Sequence, residues 1–325
     1  FNMFMRSSLF IFFATFVLSV LSDDITFKNV KVEYATEDDK HVTVDINSAR
    51  KLQTELNAAQ TSRIEILEGS VPIIYADAFS DFPVLTDLQL SGREIEQIHS
   101  GAFNNDPALV SVKLSRNKIA TIEDGVFSNS KIRFLDLEHN LIENVSPHAF
   151  DNMPKLEALG LSHNKIKNLH PEWFQGKRKL GTLSIGQNQI ENLPSGIFAN
   201  YHNDVHLQNN KIKSVSRNIF GSDDKVVFGQ LWLARNEIEE WPEDFVKGGE
   251  VRALDFAANK IQCLEGNYEN FFVAYQTYLD GNPWDCECLL KIAKWAVQNE
   301  KDFSIVVPNS AEKCNSTGQF PTMLS

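Results

Sequence analysis

Residues 109–119 read LVSVKLSRNKI and residues 132–142 read IRFLDLEHNLI, with aliphatic residues and an asparagine at the same offsets. The asparagine returns every 22 to 26 residues, at Asn117, Asn140, Asn164, Asn188, Asn210, Asn236 and Asn259. Two earlier copies keep the apolar positions but carry Gly69 and Arg93 in place of the asparagine. A fixed period of this length indicates an array of similar structural turns.

Each copy predicts a short strand whose apolar side chains point inward, and no single copy can bury them alone. Stacked copies would share one core and place parallel strands on one face. A phenylalanine ten residues past most of the asparagines would fill the opposite side of that core, at Phe127, Phe150, Phe174, Phe198 and Phe220. We expect each asparagine to turn inward and bond backbone groups of the neighbouring turn, which is a structural role.

The pattern resembles the extracellular leucine-rich repeat family over about residues 61–300. The resemblance implies an α/β solenoid, the leucine-rich repeat horseshoe, with parallel strands on the concave face and a disulfide-bonded C-terminal cap. It divides the chain into a signal peptide at residues 1–22, an N-terminal cap without cysteines at 23–60, about nine repeats at 61–273, and a terminal half-repeat with the cysteine-bearing cap at 274–325.

Residues 9–21 are nearly all apolar, lie behind the single cation Arg6 and are soon followed by the acidic pair Asp23-Asp24. This arrangement is typical of a secretory signal peptide, and we place the start of the mature chain at Asp23. A membrane anchor is the alternative, although a spanning helix needs about 20 apolar residues and this run is shorter. The sequence therefore predicts a secreted, extracellular protein without a membrane span.

The charge balance narrows the class of partner. The chain carries 43 acidic and 31 basic residues, for a formal charge of −12. A basic surface is needed to displace counterions from phosphates, so this balance argues against nucleic-acid binding and against docking on anionic lipid. The sequence predicts a protein or glycan ligand and leaves the oligomeric state open.

The C-terminal cap begins at residues 282–290, which read NPWDCECLL, with Trp284 predicted to close the last turn before a short lid helix. In an exported protein we expect two disulfides among Cys263, Cys286, Cys288 and Cys314. Cys263 and Cys286 each lie four residues after an asparagine, so the spacing of adjacent turns favours Cys263–Cys286 with Cys288–Cys314. The family's habit instead implies Cys286–Cys314 with Cys263–Cys288. A metal site at the Cys-x-Cys pair is a further interpretation.

Two acceptor motifs for N-glycosylation are present, Asn144-Val-Ser146 and Asn315-Ser-Thr317. Export makes both candidates for modification, and an unmodified surface asparagine is the alternative interpretation. Ahead of the repeats, residues 41–46 alternate like a strand and are predicted to cap the first repeat. Residues 48–60 are predicted to form a short helix or turn.

Side chains that alternate with the inward leucines are predicted to face solvent on the concave side. Trp232 stands out there, because a water-facing strand position rarely keeps so large an apolar ring. With His206, Arg235 and Tyr278 it makes a patch of the composition enriched in protein hot spots. The alternative is that a loop or the cap covers Trp232.

A second candidate surface is a basic strip of Arg116, His139 and His163 on successive turns. The two histidines could hold a metal ion, but the sequence offers no evident third ligand. They could instead make binding depend on pH near about 6, the range in which histidine titrates.

The sequence carries no glycine-rich phosphate loop, no His-Glu-x-x-His motif and no Gly-x-Ser-x-Gly elbow, so it predicts neither an enzyme nor a cofactor. The favoured hypothesis is a secreted recognition protein that binds its partner through the concave face. The chain resembles secreted insect leucine-rich immune proteins, in the short form without a coiled coil, which implies pathogen recognition or scaffolding of complement-like factors. The alternative is the ectodomain of a signalling or adhesion receptor, natively secreted or truncated.

Overall fold

The computed structural model describes residues 28–36, 41–46, 56–79, 82–103, 108–127, 130–199, 201–222, 226–300 and Cys314. The predicted signal peptide and the acceptor motif at Asn315 lie outside the described residues. The chain divides into two compact units, an N-terminal unit that ends at Leu156 and a C-terminal unit that begins at Glu157. Each unit consists of the short parallel strands and connecting turns that the repeat predicts, so the predicted leucine-rich repeat solenoid is confirmed.

The N-terminal unit contains strands that are mostly two or three residues long, since each repeat supplies only a few strand positions. They are β1 (Lys28–Thr36), β2 (His41–Ile46), β3 (Thr61–Ser70), β4 (Ile73–Ile74), β5 (Asp87–Gln89), β6 (Gln97–Ile98), β7 (Ser111–Lys113), β8 (Thr121–Ile122), β9 (Phe134–Asp136) and β10 (Asn144–Val145). Strands β3, β5, β7 and β9 run parallel in that order. The pairs β4–β6 and β8–β10 are also parallel.

The start of the N-terminal unit corrects one expectation. Residues 41–46 do form a strand, but β2 does not pair with the first repeat. Strand β1, which the sequence analysis did not predict, lies between them and pairs antiparallel with β2 on one side and with β3 on the other. Of the segment predicted as a helix or turn, residues 56–60 form a turn.

The C-terminal unit contains six described strands, which run parallel in chain order. They are β11 (Ala158–Gly160), β12 (Thr182–Ser184), β13 (Asp204–His206), β14 (Val227–Trp232), β15 (Glu250–Asp255) and β16 (Gln276–Tyr278). Short 3-10 helices cover Pro171–Phe174 and Arg217–Phe220 on the return path of two turns. Helix α1 (Tyr268–Phe271) precedes β16, and helix α2 (Cys286–Gln298) ends the described cap.

The core of each unit has the two sides that the repeat predicts. The inward strand residues are fully buried, as Leu88 and Val112 illustrate in the N-terminal unit. On the other side the phenylalanines stack along the N-terminal unit, with ring centroids 6.2, 5.3 and 6.2 Å apart, in the order Phe79, Phe103, Phe127 and Phe150. Because one repeat buries its rings only against the next, each turn depends on its neighbours.

The repeat asparagines are buried and bond backbone groups of two turns at once. The Asn210 Nδ2 donates to the Ile185 carbonyl at 3.1 Å and to the Leu207 carbonyl at 3.0 Å, and its Oδ1 accepts from the Ile190 amide at 3.1 Å. Equivalent bonds between turns occur at Asn117, Asn140, Asn188, Asn236, Asn259 and Asn282. We call this row the asparagine ladder, and it confirms the predicted structural role.

Arg93 stands where the second repeat lacks its asparagine, and it supplies part of the missing bonding. Its Nη1 donates to the Leu67 carbonyl of the preceding turn at 2.8 Å, and its Nε donates to the Ser91 carbonyl at 3.0 Å. Its amide donates to the Asn117 Oδ1 at 2.8 Å, so the ladder begins here. A longer donor thus satisfies carbonyls that would otherwise lie unpaired.

The residue before each ladder asparagine adopts a left-handed backbone conformation. Seven non-glycine residues hold φ between 52° and 58° at this position, namely Arg116, His139, His163, Gln187, Asn209, Arg235 and Ala258. A side chain in this conformation costs on the order of 1 kcal/mol, and we infer that the bonds of the following asparagine offset that cost. Four of the predicted site residues therefore sit in turns beyond the strand ends rather than on the strands.

The structure decides between the two disulfide pairings. Cys263 is bonded to Cys288 and Cys286 to Cys314, as the family's habit implies, and the pairing favoured by turn spacing is wrong. The reason is that the repeat stops at α2, where the Asp285 side chain caps the helix by accepting from the Cys288 amide at 2.9 Å. A helix turns residues two apart to opposite sides, so Cys288 faces the last turn and Cys286 faces outward. Trp284 is buried, as predicted.

The ladder generates a prediction about stability. Replacing Asn210 by Ala leaves the Ile190 amide buried without its acceptor. The Ile185 and Leu207 carbonyls each lose one donor but keep another, from Asn188 and Asn236. We expect a loss of about 1–3 kcal/mol of unfolding free energy, which is the cost of a buried donor left unsatisfied. The matched control is Asn209→Gly, which removes the neighbouring asparagine but leaves a residue that adopts positive φ easily. Urea unfolding followed by circular dichroism would measure both, and equal losses in the two variants would contradict the role given to Asn210.

Candidate functional site

The parallel register of the C-terminal unit places four side chains in one row on the solvent side of the sheet, which we call the outer strand face. His206 pairs in register with Trp232, Trp232 with Asp255, and Asp255 with Tyr278. Because each strand supplies the same position, the row follows from the repeat alone. Three of the four members are aromatic, and we call His206, Trp232 and Tyr278 the aromatic row.

The rings of the aromatic row stack on one another. The His206 and Trp232 planes differ by 2° with centroids 6.0 Å apart, and the Trp232 and Tyr278 planes differ by 19° with centroids 5.9 Å apart. Trp232 and Tyr278 lie two strands apart, a spacing of roughly 9.6 Å at the backbone. Their rings therefore lean toward each other over Asp255 on the strand between them.

Glutamines hold the two larger rings in place. The Trp232 Nε1 donates to the Gln230 Oε1 at 3.2 Å, and the Tyr278 hydroxyl donates to the Gln276 Oε1 at 3.1 Å. Each glutamine lies two residues before its ring on the same strand, so both side chains project on the same face. Trp232 is half-buried by these neighbours, and the row is fixed before any partner arrives.

The half-buried setting changes the titration of the groups in the row. Burial raises the pKa of Asp255, and the negative charge of Asp280 raises it further, although the Ala257 amide that bonds its Oδ1 acts in the opposite direction. Burial also raises the pKa of Asp280. Burial lowers the pKa of His206, opposed in part by the Asp204 carboxylate. Each shift disfavours the charged form, as removal from water requires.

The other residues predicted for this patch and for the basic strip have different surroundings. Arg235 is exposed in the left-handed turn after β14, and among the described residues it makes no ring contact with Trp232. Arg116 and His139 are exposed in the N-terminal unit. In the C-terminal unit, His163 Nε2 lies 2.8 Å from Gln187 Nε2, one turn along. The basic strip remains a prediction.

Two features of the site were missed from the sequence. Asp255 stands in the row but was not selected, because nothing in the pattern shows that the rings on either side would lean over it. Asp280 lies two residues past Tyr278 and was not considered, although its Oδ1 is buried without a hydrogen-bond partner among the described residues. Both are revealed by packing rather than by spacing.

The described residues also bear on metal binding, membrane insertion and glycosylation. In the described part of the chain no group of three or more His, Cys, Asp or Glu side chains could hold a metal ion. No helix in the described ranges has the length and apolar composition of a membrane span. Asn144, the glycosylation candidate within the described residues, is exposed at the start of β10.

The raised pKa of Asp255 has a consequence for stability. The folded-state pKa lies above the unfolded value, so ionised Asp255 destabilises the fold as the pH rises through that range, and protonated Asp255 does not. We expect Asp255→Asn, which keeps an oxygen for the Ala257 amide, to raise the melting temperature at about pH 7 and not at about pH 3.

The matched control is Asp136→Asn on β9. Asp136 accepts an equivalent backbone bond from Glu138 at 3.0 Å, but no aromatic pair leans over it among the described residues. Calorimetry of the wild type and both variants at the two pH values would give the six melting temperatures. A stabilisation by Asp255→Asn of the same size at acid and neutral pH would contradict the burial of this carboxylate.

The profile of the leucine-rich repeat family matches four overlapping stretches, residues 83–142, 107–166, 130–190 and 154–203. The sequence has no match among curated proteins.

Among solved structures, similar chains occur in the Toll–Spatzle complex, described as a molecular hub in Drosophila development and innate immunity. One aligns with a TM-score of 0.55 at 20% identity, over 64% of this chain and 30% of that one. A chain of the glycosylated form aligns with a TM-score of 0.51 at 18% identity, over 71% and 42%. This chain thus spans less than half the length of either. The matched repeat profile and the turn geometry that extends beyond it together make the chain a leucine-rich repeat protein.

Proposed function

We propose that the chain is a secreted recognition protein that binds a partner through the outer strand face of its C-terminal unit, which the resemblance predicts to be concave. The observation that carries the proposal is the aromatic row, in which Trp232 is kept on the solvent side of a strand and braced by two further rings. Rings of this size on a solvent-facing strand side add nothing to the leucine core beneath them.

The physical properties of the row suit it to binding. Tryptophan and tyrosine dominate protein hot spots because they bury a large area and lose little conformational entropy. In the unbound chain Trp232 is already stacked and bonded to Gln230, so its side chain would lose little further conformational entropy on binding. A partner would therefore meet a rigid surface. His206 and Tyr278 would shield the central ring from water, and Arg235 would contribute at the margin.

Several features support an extracellular setting. The Cys263–Cys288 disulfide joins the last repeats to the cap and the Cys286–Cys314 disulfide lies within the cap, and such bonds persist in oxidising compartments. The predicted signal peptide at residues 1–22 supports export, and the exposed Asn144 supports glycosylation. A role in innate immunity is supported by the resemblance to secreted insect immune proteins and by the likeness to chains of the Toll–Spatzle complex.

A second candidate is the ectodomain of a signalling or adhesion receptor. The likeness to the Toll–Spatzle complex, whose description includes development, favours it. The two candidates differ in where the tagged full-length protein is found in its native cells. Recovery from the medium supports the secreted form, and retention at the cell surface supports the receptor.

The aromatic row generates a prediction about binding. We expect Trp232→Ala to weaken partner binding by about 2 kcal/mol or more, roughly 30-fold, while leaving the unfolding transition nearly unchanged. The partner would be recovered by cross-linking from the native extracellular fluid and its affinity measured by calorimetry. Tyr275→Ala is the control, since that ring is 89% exposed and lies outside the aromatic row.

The outcome separates two roles for Trp232. Lower affinity in Trp232→Ala with wild-type affinity in Tyr275→Ala supports recognition through the row. Loss of stability with unchanged affinity would mean that Trp232 serves packing alone, and the proposal would be abandoned.

Export also predicts a modification. Protein secreted from insect cells should carry an N-linked glycan at Asn144, because the side chain is exposed and Ser146 completes the acceptor motif. Mass spectrometry before and after deglycosylation measures the occupancy, and Asn144→Gln should remove that glycan. An unmodified Asn144 in secreted protein would contradict the assignment.

A further inference from the structure

A cavity of about 860 Å³ lies in the C-terminal unit, beside the turns that follow the ladder asparagines. Its lining comes from residues between 239 and 243 on one turn, from residues between 260 and 265 on the next, and from Pro283 at the start of the cap. Its volume is within the range of pockets that hold ligands. No residue of the aromatic row lines it, so it is a second candidate site.

Carboxylates dominate the wall of this cavity. Lys260 is the basic residue in the lining, and its Nζ is 2.8 Å from the carboxylate of Glu237, which does not line the cavity. Elsewhere in the unit, Glu191 is likewise paired with Lys213 at 2.9 Å. The four glutamates of the lining form no ion pair with a Lys, Arg or His side chain of the described residues. They are Glu239, Glu240, Glu243 and Glu265, and we call the site the acidic cavity.

One of these glutamates is held in place by its neighbours. The Asn270 Nδ2 donates to the Glu243 Oε1 at 2.5 Å. The same carboxylate lies against the backbone of Gly266, where a Cβ would collide with it and where a φ of 132° disfavours any side chain. Glu243 is therefore oriented in the unbound chain.

The wall also contains a hydrogen-bond donor that is not used. Trp241 is only 4% exposed, and its Nε1 is buried without an acceptor among the described residues. The ring is packed against other rings, with centroids 4.6 Å from Phe256 and 5.3 Å from Phe271, and these neighbours supply no polar acceptor. A buried donor without a partner is costly. A ligand with carbonyl groups would bring acceptors to the cavity that this ring lines.

The distribution of charge argues against a metal ion and for a longer ligand. Within the described ranges, no three His, Cys, Asp or Glu side chains converge closely enough to hold a metal. The four carboxylates come instead from two successive turns, which suits several cations spaced along one molecule. A basic peptide has such cations and also has backbone carbonyls. A polyamine has the cations alone.

We propose that the acidic cavity binds a basic segment of a protein partner. Its lysine or arginine side chains form charge-assisted hydrogen bonds with the glutamates. Their alkyl stems pack against Pro242, Pro283 and the half-buried Cys263. This site goes beyond the proposed function, because it shares no residue with the aromatic row.

The test titrates N-acetyl-tetralysine amide into the full-length protein at about physiological ionic strength and follows the indole signals by NMR. Trp241→Phe assigns the signal of the cavity, and the Trp232 indole reports on the outer strand face in the same spectrum. The control probe is the same peptide with its side-chain amines acetylated, which keeps the backbone carbonyls and removes the charge. We expect the lysine peptide to shift Trp241 and not Trp232, and the acetylated peptide to bind at least about tenfold more weakly.

Variants separate the cavity from the general acidity of the chain. Glu239→Gln combined with Glu240→Gln should weaken the lysine peptide at least about fivefold. The matched control combines Glu287→Gln with Glu300→Gln, which removes the same charge from exposed positions outside the cavity and should leave the affinity nearly unchanged.

Several results would overturn the proposal. These are equal binding of the two peptides, no binding of either, equal losses in the two double variants, or a shift at Trp232 in place of Trp241. The same Trp241 shift with calcium chloride alone would indicate a cation site, and spermidine binding as tightly as the lysine peptide would indicate a polyamine site. Binding of a partner through Trp232 is measured separately, so failure here leaves the proposed function in place.

Discussion

The whole arrangement depends on one hydrogen-bonding constraint, that every turn of a stacked repeat buries backbone groups that no strand can pair. Asparagine satisfies them because one short amide carries both a donor group and an acceptor. The Asn236 Nδ2 donates to the carbonyls of Leu207 and Leu233 at 3.0 and 2.9 Å, and its Oδ1 accepts from the Ile212 amide at 3.0 Å. The ladder thereby fixes the spacing and the rotation of one turn against the next, within each unit.

The surface follows from that fixed spacing. Because successive turns within a unit share a register, the residues at one strand position form a continuous row. The chemistry of that row depends only on which residues occupy the position. From β13 to β16 of the C-terminal unit those residues are aromatic and acidic, so bulky rings and a carboxylate share a solvent-facing strand side. Burial raises the pKa of Asp255 and lowers the pKa of His206. The proposed recognition surface thus follows from the regularity of the core.

How far the sequence predicts this structure depends on how regular each part is. The period located the strands, the phenylalanine side of the core and the inward asparagines, because each is repeated many times. Where the period stops, the lid helix after Trp284 was predicted correctly, but the strand pairing and the disulfide pairing were not. Residues 28–36 alternate in the same way as residues 41–46, yet β1 was not predicted, and it is β1 that contacts the first repeat. The disulfide pairing inferred from turn spacing was wrong because α2 replaces a repeat turn.

Site chemistry was predicted less completely than the fold. Spacing alone placed His206, Trp232 and Tyr278 on one face, since alternation along a strand determines the side on which a residue lies. It could not show that the rings lean across an intervening strand, because that depends on rotamers and on the glutamines that anchor them. Arg235 was included for its position in the sequence, but the left-handed turn that the ladder requires places it beyond the strand end.

The measurement that tests the ladder most directly is native-state hydrogen exchange by NMR at the amides of Ile190, Ile212, Ile238 and Ile261, which donate to asparagine side chains. The account predicts that these non-strand amides exchange as slowly as those of the buried strands. Exchange as fast as that of exposed loop amides would contradict it.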